Sequence, residues 1–380
     1  MKNKETASGP LRVLQVCDLQ AGGIASLIVS VCEQMDRQKV NFDYLVYRKQ
    51  EEFYDAKVQK LGGRKWIADN TDAPNKAARF LWKFFRVFRI VKIEQAGIVH
   101  VNAPTPYDCM VGIAARLAGA KTVILHAHSS RLSKEGRGHR LFQEICRQCL
   151  PLCGNYYFAC SDLAGQFMYG KRLWKNVVEV KNGVQTEHFR FEKGLRAKMK
   201  EQYHAEDAVV FGTVGRLSKS KNQGFLLEIF SEIRRLCPQA RFLLIGQGER
   251  KQELMAAAKA LGISDCLIHI VSTDRVQAYF CMMDVFLLPS LSEGLPVVGV
   301  EAQACGLPCV FSDRITKELS LTDRAFFLSL LRPAAEWARF SVAAAGKGME
   351  NRERYADRVK EAGYDVADTA RWLQEFYLGL

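Results

Sequence analysis

The chain has 380 residues, of which 48% are hydrophobic and 25% charged, and its net charge is +13. This length exceeds the size at which a single hydrophobic core stops growing, so two domains are expected, and the composition argues against a fibrous, low-complexity or repeat protein. The apolar runs are shorter than the ~20 residues that span a bilayer, and the N-terminal residues lack the apolar segment of a signal peptide. These features predict a cytoplasmic chain that is soluble or bound at a membrane surface.

The excess of basic residues lies in the first half of the chain. Residues 1–180 contain 27 Lys and Arg against 16 Asp and Glu, a net charge of +11, so the second half is nearly neutral. This asymmetry predicts an anionic partner for the first half: nucleic acid, an acidic membrane surface or a phosphorylated substrate.

Short β-branched runs alternate with helical stretches through the first half. The first predicted strand is followed by Gly22 and Gly23 and by a helix that starts at about Ser26. Strands are predicted at residues 11–19, 41–48, 98–103, 122–128, 156–161 and 177–183. The alternation is typical of a parallel sheet covered by helices on both faces.

The segment 75–92 is predicted to form a helix that is both basic and aromatic. A helical wheel places its basic side chains on one broad face: Lys76, Arg79, Lys83, Arg86 and Arg89. It places apolar side chains on the opposite side: Phe80, Phe84, Val87, Phe88 and Val91. Such a helix either packs on the sheet with a solvated basic face, or meets an anionic membrane surface through its basic residues, Trp82 and Phe85.

Four of the twelve cysteines follow in a cluster: Cys146, Cys149, Cys153 and Cys160. Their spacing is compatible with a zinc or iron–sulfur site, but no second Cys-x-x-Cys or Cys/His pair completes the pattern. We therefore interpret them as reduced cysteines that behave as small hydrophobic residues, and we expect no metal site.

The strand–helix pattern starts afresh in the second half, after a turn signal at Asn182-Gly183. Strands are predicted at residues 208–217, 241–248, 267–272, 285–290 and 308–313, and a helix at about 222–236. The expected fold class is α/β, with two doubly wound, parallel-sheet domains. Ligands of such sheets bind at the carboxyl ends of the strands, and two facing sheets would form a cleft between the domains.

The predicted domains have the following bounds. The N-terminal domain is 10–183 and the C-terminal domain is 184–363. An amphipathic helix at 364–380 is expected to pack on one of them, either the second domain or back on the first.

Two glutamates lie in an otherwise apolar segment, "SEGLPVVGVEAQACGLP" (292–308). Glu293 follows the predicted strand 285–290, and Glu301 lies about two turns into the helix that comes next. Burying a carboxylate costs free energy unless it is paired, so these positions call for a reason. The N–H groups at the start of the helix attract phosphate, and the two carboxylates can accept hydrogen bonds from the hydroxyl groups of a sugar and a ribose.

The chain resembles the retaining glycosyltransferases of family 4, which have the GT-B architecture of two facing Rossmann-like domains. The segments that carry the resemblance are "GGIASLIVSV", "VKNGVQTEHF", "VGRLSKSKNQGFLLEIF", "FLLIGQGERKQEL" and "LPSLSEGLPVVGVEAQACGLPCV". Within the family, the chain is most similar to enzymes of bacterial exopolysaccharide and capsular polysaccharide synthesis. The resemblance implies transfer of a sugar from a nucleotide diphosphate sugar, with retention of anomeric configuration, to a saccharide acceptor carried on undecaprenyl diphosphate.

The resemblance also implies roles for charged residues of the second domain. Arg216 and Lys221 would contact the donor diphosphate and neutralise the leaving phosphate. Glu301 would bind the ribose hydroxyls, and Glu293 the hydroxyls of the donor sugar. No metal or other cofactor is expected, because the basic residues take over the role of a metal.

The resemblance also implies that backbone segments with glycine contact the donor, one in each domain. Gly22 and Gly23 would let the backbone approach the phosphate or sugar, where a Cβ atom would clash. Gly294 and Leu295 would bring backbone amides close to the donor. Many family members have a Gly-aromatic-Gly turn here, whereas this chain has Pro296, which removes one N–H donor. The motif therefore does not determine the identity of the donor sugar.

Histidines of the first domain complete the implied site. His128, at the carboxyl end of the strand 122–128, would face the donor sugar. His126 is the alternative, because alternation along the strand is expected to let only one of the two face the cleft. His100 and Asn102 are expected to point toward its rim.

Two other functions share some of these features. A nucleotide-sugar 2-epimerase would have the same fold, and a nucleic-acid-binding protein would use the basic first half. The paired glutamates with Arg216 and Lys221 favour transfer over epimerisation, and no zinc ligand set or aromatic strand motif supports nucleic-acid binding. The pattern leaves the nucleotide, the donor sugar, the acceptor, the linkage and the oligomeric state open.

Overall fold

The computed structural model describes residues 9–69, 73–103, 105–129, 137–346 and 350–380. These residues belong to two compact units. The first unit ends at Lys181 and takes up the chain again at Val366, and the second unit is Asn182–Asp365.

A seven-stranded parallel sheet forms the centre of the first unit. Its strands are β1 (Leu11–Val16), β2 (Val40–Val46), β3 (Lys65–Ile67), β4 (Ile98–Ala103), β5 (Thr122–Ala127), β6 (Tyr156–Ala159) and β7 (Val177–Glu179). Their order is β3-β2-β1-β4-β5-β6-β7, and every neighbouring pair is parallel. The order reverses between β1 and β4, which makes the carboxyl ends of these strands the expected place for a ligand. Edge strand β3 was not predicted from the sequence.

Helices cover this sheet, as the sequence pattern indicates. They are α1 (Gly23–Gln34), α2 (Asp55–Lys60), α3 (Lys76–Ile93), α4 (Cys109–Leu117), α5 (Arg137–Cys153) and α6 (Asp162–Leu173). Helix α1 places Leu27, Ile28 and Val31 at a spacing of three to four residues, and all three are buried in one core with Val13 and Phe42 of the sheet.

The second unit repeats this topology with six parallel strands. They are β8 (Val210–Val214), β9 (Arg241–Ile245), β10 (Leu267–Ile270), β11 (Val285–Leu288), β12 (Cys309–Ser312) and β13 (Ala325–Leu328). The order is β10-β9-β8-β11-β12-β13, so the switch point lies between β8 and β11. Its helices are α7 (Lys193–Gln202), α8 (Gln223–Leu236), α9 (Lys251–Ala260), α10 (Val276–Met282), α11 (Val297–Ala304), α12 (Ala334–Ala345) and α13 (Tyr355–Glu361). Strand β13 is a second edge strand that the sequence pattern did not predict.

The last helix, α14 (Val366–Leu378), returns to the first unit. Its buried face packs into the same core as α1 and the sheet, through Val366, Ala370, Leu373 and Tyr377. Of the two positions that the sequence leaves open for this helix, the structure therefore has the one on the first unit.

Helix α3 differs from the helical wheel drawn from the sequence. The Nζ atom of Lys83 lies 2.9 Å from Asp108 Oδ1 and 4.1 Å from the ring centroid of Tyr47. Position 83 lies one turn from Val87, which is completely buried, so Lys83 belongs to the inner side of the helix and its assignment to the solvent face was wrong. Trp82 and Phe85 are exposed, and the side chain of Lys76 lies outside the described residues.

All twelve cysteines are free, and only Cys149 is partly exposed. Across the described ranges, no group of His, Cys, Asp and Glu is arranged to hold a metal ion. Nor does any helix in this part of the chain have the length and apolarity to cross a membrane.

Candidate functional site

Three loops meet at the carboxyl edge of the second sheet, beside its switch point. They follow β8, β9 and β11 in the chain. Backbone bonds join them: Leu291 N–H donates to Ser220 O over 2.8 Å, and Leu217 N–H donates to Gln247 O over 2.9 Å. The edge is therefore one connected backbone surface.

Two glycines make this close approach of loops sterically feasible. Gly246 has a φ of +142°, and a Cβ atom there would collide with the carbonyl oxygen of Gly215. A Cβ atom on Gly248 would collide with the carbonyl oxygen of Leu217. The Gly-x-Gly after β9 is thus required by the packing of the neighbouring loop.

Lys221 and Glu293 are brought together as an ion pair. Lys221 Nζ lies 2.7 Å from Glu293 Oε1, and the two side chains are only 18% and 16% exposed. Lys221 ends the short 3₁₀ turn that leads into α8, and Glu293 lies in the loop between β11 and α11. The pair is shielded enough from water to hold both groups in place, in contrast to a surface ion pair.

Arg216 is an exposed cation at this edge. Its Nε and Nη2 atoms lie 3.2 and 3.1 Å from Glu249 Oε2, and the two side chains are 63% and 56% exposed. An exposed pair of this kind contributes about 0–1 kcal/mol, so an incoming diphosphate can compete for the guanidinium. The carbonyl of Arg216 accepts a bond of 2.8 Å from Gln223 Nε2. Sequence reasoning missed Glu249 and Gln223, since neither follows a pattern of its own.

Glu301 differs from Glu293 in having no hydrogen bond or ion pair to the described residues. It lies on α11, about two turns from Glu293, and is half-buried. Because burial disfavours the charged form, the pKa of this carboxyl is raised to about 7. Both of its oxygens are free to accept hydrogen bonds from a bound hydroxyl group.

The turn between the two glutamates is held from the start of the second unit. Leu295 is buried, and its carbonyl accepts a bond of 3.3 Å from Asn182 Nδ2. Helix α11 then begins at Val297, directly after Pro296. Leu295 and Gly294 can therefore offer only backbone to a ligand, and Asn182, read from the sequence as a turn residue, is what anchors that backbone.

In the first unit, Gly22 and Gly23 lie at the N-terminus of α1, after β1. Both are exposed, and Gly22 has extended backbone with a φ of 177°. A Cβ atom on Gly22 would meet nothing closer than Gln20 O at 3.9 Å. The protein itself therefore does not require glycine there, and the approach of a ligand to this backbone stays a prediction.

His126 and His128 lie together at the carboxyl end of β5. Their rings are 4.0 Å apart between centroids, on the same face, so the expectation that only one of them can face a given side was wrong: residues two apart along a strand point the same way. His128 Nε2 lies 3.1 Å from Asn102 Oδ1. His100 and Asn102 are buried at 2% and 6% exposure, and their place at the rim of a cleft stays a prediction.

The chain is similar to known protein families and proteins over most of its length. The family model "Glycosyltransferase Family 4" matches residues 21–188, and the model "Glycosyl transferases group 1" matches residues 196–320. The protein designated glycosyltransferase EpsF of Bacillus subtilis (strain 168) is 30% identical over 97% of both chains. The UDP-Gal:alpha-D-GlcNAc-diphosphoundecaprenol alpha-1,3-galactosyltransferase of Escherichia coli is 26% identical over 60% of both chains.

A solved structure shares the fold. The crystal structure of Anabaena Alr3699/HepE in complex with UDP-glucose superposes with a TM-score of 0.77 at 16% identity, over 97% of this chain and 100% of that one. At 16% identity, this structural similarity shows only that the two proteins share a fold. The family follows from the similarity to EpsF, which extends over the full length of both chains. The chain is thus a glycosyltransferase of family 4 with the GT-B fold.

Proposed function

We propose that the protein transfers a sugar from a nucleotide diphosphate sugar to a lipid-linked saccharide, with retention of anomeric configuration, in the synthesis of a cell-surface polysaccharide. One observation carries the proposal: the carboxyl edge of the second sheet combines two cations with a half-buried carboxylate that has no partner among the described residues, namely Arg216, Lys221 and Glu301. Cations suit a diphosphate, and a carboxylate suits the diol of a ribose.

In this proposal the basic residues bind the diphosphate and the acidic residues bind hydroxyl groups. When the bond between the sugar and the diphosphate breaks, negative charge grows on the leaving phosphate oxygen, and Arg216 and Lys221 stabilise it. Glu301 accepts hydrogen bonds from ribose hydroxyls. Glu293, held in place by Lys221, accepts them from the donor sugar. No metal is needed in this scheme for charge neutralisation.

The chemical class of the acceptor is proposed from the similarity of the chain to a relative whose name states its acceptor. The Escherichia coli relative acts, by its name, on a saccharide linked to diphosphoundecaprenol. The resemblance to enzymes of exopolysaccharide and capsular polysaccharide synthesis implies an acceptor of the same kind. An acceptor of this kind is anchored in a bilayer, so the enzyme would work at the inner leaflet of the membrane. The basic charge of the first half is compatible with that position.

Donor turnover tests the proposal. Purified protein is screened with UDP-, GDP- and dTDP-sugars for a rise in melting temperature, and the stabilising donor is then offered with an undecaprenyl-diphosphate-linked saccharide. Proton NMR of the product reports whether the anomeric configuration is retained. We expect Lys221→Ala to lower kcat by roughly 10²-fold, because it removes a charge that stabilises the transition state. Lys259→Ala, an exposed change of equal charge in α9, serves as the control and should leave kcat unaltered.

The alternatives give different results in the same assay. A 2-epimerase would convert the donor sugar without any acceptor, and a nucleic-acid-binding protein would gain no thermal stability from any nucleotide sugar. An inverted product would refute retention alone. The matching family models describe glycosyltransferases, and the relatives named above are designated glycosyltransferases. Neither epimerisation nor nucleic-acid binding is therefore favoured.

A further inference from the structure

Six buried polar side chains of the first unit form one hydrogen-bonded chain. It runs from His128 to His126, and Tyr377 of the C-terminal helix lies in its middle. The six side chains come from β1, β4, the end of β5 and α14: Gln15, His100, Asn102, His126, His128 and Tyr377. None of them is more than 9% exposed. Because water cannot replace a broken bond at this depth, the direction of each bond constrains the next.

One branch of the chain runs from Tyr377 to His128. Gln15 Nε2 donates to the hydroxyl oxygen of Tyr377 over 3.3 Å, and Asn102 Nδ2 donates to Gln15 Oε1 over 3.0 Å. Asn102 Oδ1 lies 3.1 Å from His128 Nε2. An amide oxygen only accepts, so His128 carries its proton on Nε2 and its Nδ1 is an acceptor.

The other branch runs from Tyr377 to His126. Within the described residues the buried hydroxyl of Tyr377 has two partners, Gln15 Nε2, which can only donate, and His100 Nδ1, 2.6 Å away, so its proton is directed at His100 Nδ1. His100 then has its proton on Nε2 and donates it to His126 Nδ1 over 3.2 Å. His126 is therefore also protonated on Nε2, like His128.

Burial keeps the imidazoles of this chain neutral. It lowers the pKa of His100 and of His128 to about 3, and it lowers the pKa of His126 well below its ordinary value. A neutral imidazole has one donor and one acceptor nitrogen. If both amides turned over, every bond would reverse and all three rings would be protonated on Nδ1.

Both directions have the same outcome at the ends of the chain. The atoms at the two ends of the chain are His126 Nε2 and His128 Nδ1, which are both buried and have no hydrogen-bond partner within the described residues. In either direction one of them is a donor and the other an acceptor. The two rings that carry them are 4.0 Å apart between centroids.

We propose that Tyr377 is a positioning residue that couples the tautomer of His128 to that of His126, so that the two rings always present one donor and one acceptor. The inference rests on the proposed function and on the role toward the donor sugar that the resemblance implies for His128. A sugar hydroxyl both donates and accepts, and so matches such a pair. Without the hydroxyl of Tyr377, each branch takes its direction independently, and about half of the four combinations keep one donor and one acceptor at the two rings.

Nitrogen-15 NMR of the imidazoles in the full chain, without ligand, tests the coupling directly. We expect the same tautomer for all three histidines in the wild-type protein. Tyr377→Phe should turn His128 into a mixture of tautomers that no longer follows His126. Gln15→Met opens the same branch and serves as a second variant if the first fails to fold.

Tyr169→Phe is the matched control. The hydroxyl of Tyr169 is equally buried in this unit, but it donates to the backbone, 2.5 Å from Leu125 O and 2.9 Å from Phe158 O. Its loss removes a buried tyrosine hydroxyl without touching the histidines. The tautomers should then stay as in the wild type.

Kinetics separate positioning from a general loss of structure. Tyr377→Phe should raise KM for the donor about twofold and leave kcat unchanged, because only about half of the molecules are competent to bind. Different tautomers for His126 and His128 in the wild-type protein, an unchanged tautomer in Tyr377→Phe, or an unchanged KM would overturn the inference. A wild-type protein that turns over no nucleotide sugar would contradict the proposed function, whereas the imidazole spectra would still decide the coupling.

Discussion

Glu293 and Glu301 lie eight residues apart in one segment, yet their surroundings give them opposite effects on stability. Glu293 is neutralised by Lys221 at 2.7 Å, whereas Glu301 has no partner among the described residues and a pKa raised from 4.5 to about 7. In the folded protein, Glu301 thus keeps its proton over a pH range in which the unfolded chain has already lost it. The free energy of unfolding therefore falls as the pH rises from 4.5 through about 7.

A Glu301→Gln variant should remove this dependence. Gln resembles the protonated carboxyl, so the variant should match the wild type near pH 4.5 and be more stable by roughly 3 kcal/mol at pH 8. Denaturant titrations across this range measure the difference. Glu293→Gln is the control of opposite sign: it leaves Lys221 unpaired and should lower stability at pH 8. A pH-independent difference for Glu301→Gln would contradict the assignment of the raised pKa to this carboxyl.

Helix α3 shows how a charge pattern changes meaning once the helix is packed. Lys83 turns inward to Asp108, while the exposed side combines basic residues with large apolar ones. The exposed basic residues are Arg79, Arg89 and Lys92, and the exposed apolar ones are Leu81, Trp82, Phe85 and Ile93. This combination is typical of a helix that lies at an anionic membrane surface.

We expect replacement of Arg79, Arg89 and Lys92 by Gln to weaken binding to vesicles that contain anionic lipid. Each charge near such a surface contributes about 1 kcal/mol, so the triple variant should lose roughly 10²-fold in affinity. Co-sedimentation at fixed ionic strength measures it.

The matched control neutralises three exposed lysines of the second unit, Lys198, Lys251 and Lys259. Its net charge changes equally, so it should bind as the wild type does. Equal losses in both variants, or equal binding to neutral vesicles, would refute a specific role of α3.

At the scale of the whole molecule, the chain crosses from one unit to the other and back. Only α14 returns, and Leu373 and Tyr377 on its buried face complete the core of the first unit. The contribution of these side chains to the core is about 1.5–3 kcal/mol each. Independent stability of the first unit is thus tied to the last 15 residues.

Ending the chain after Asp365 should unfold the first unit and spare the second. Hydrogen exchange should show lost protection in β1, β2 and β4 and retained protection in β8, β9 and β11. Removing only Gly379 and Leu380, which follow α14, is the control and should change neither unit. Retained protection of β1 in the longer truncation would show that the first unit folds without α14.

The sequence by itself determined the α/β class, the position of most strands and the family, because strand–helix alternation and loop motifs are local properties of the chain. The two edge strands β3 and β13 were not predicted, although strands of the same length, such as β6 and β7, were. The segment with Glu293 and Glu301 was placed correctly between a strand and a helix for the same local reason.

Only the tertiary structure decided which polar groups meet. Lys83 forms an ion pair with Asp108, and these two residues are 25 positions apart in the chain. Tyr377 is hydrogen-bonded to His100, which lies 277 residues earlier. No periodicity in the sequence encodes such pairs, because they depend on how the strands are ordered and on which face of the sheet the last helix covers. The same reason explains why Glu301 has no partner within the described residues while Glu293 has Lys221: spacing sets their places in the chain, and packing sets their chemistry.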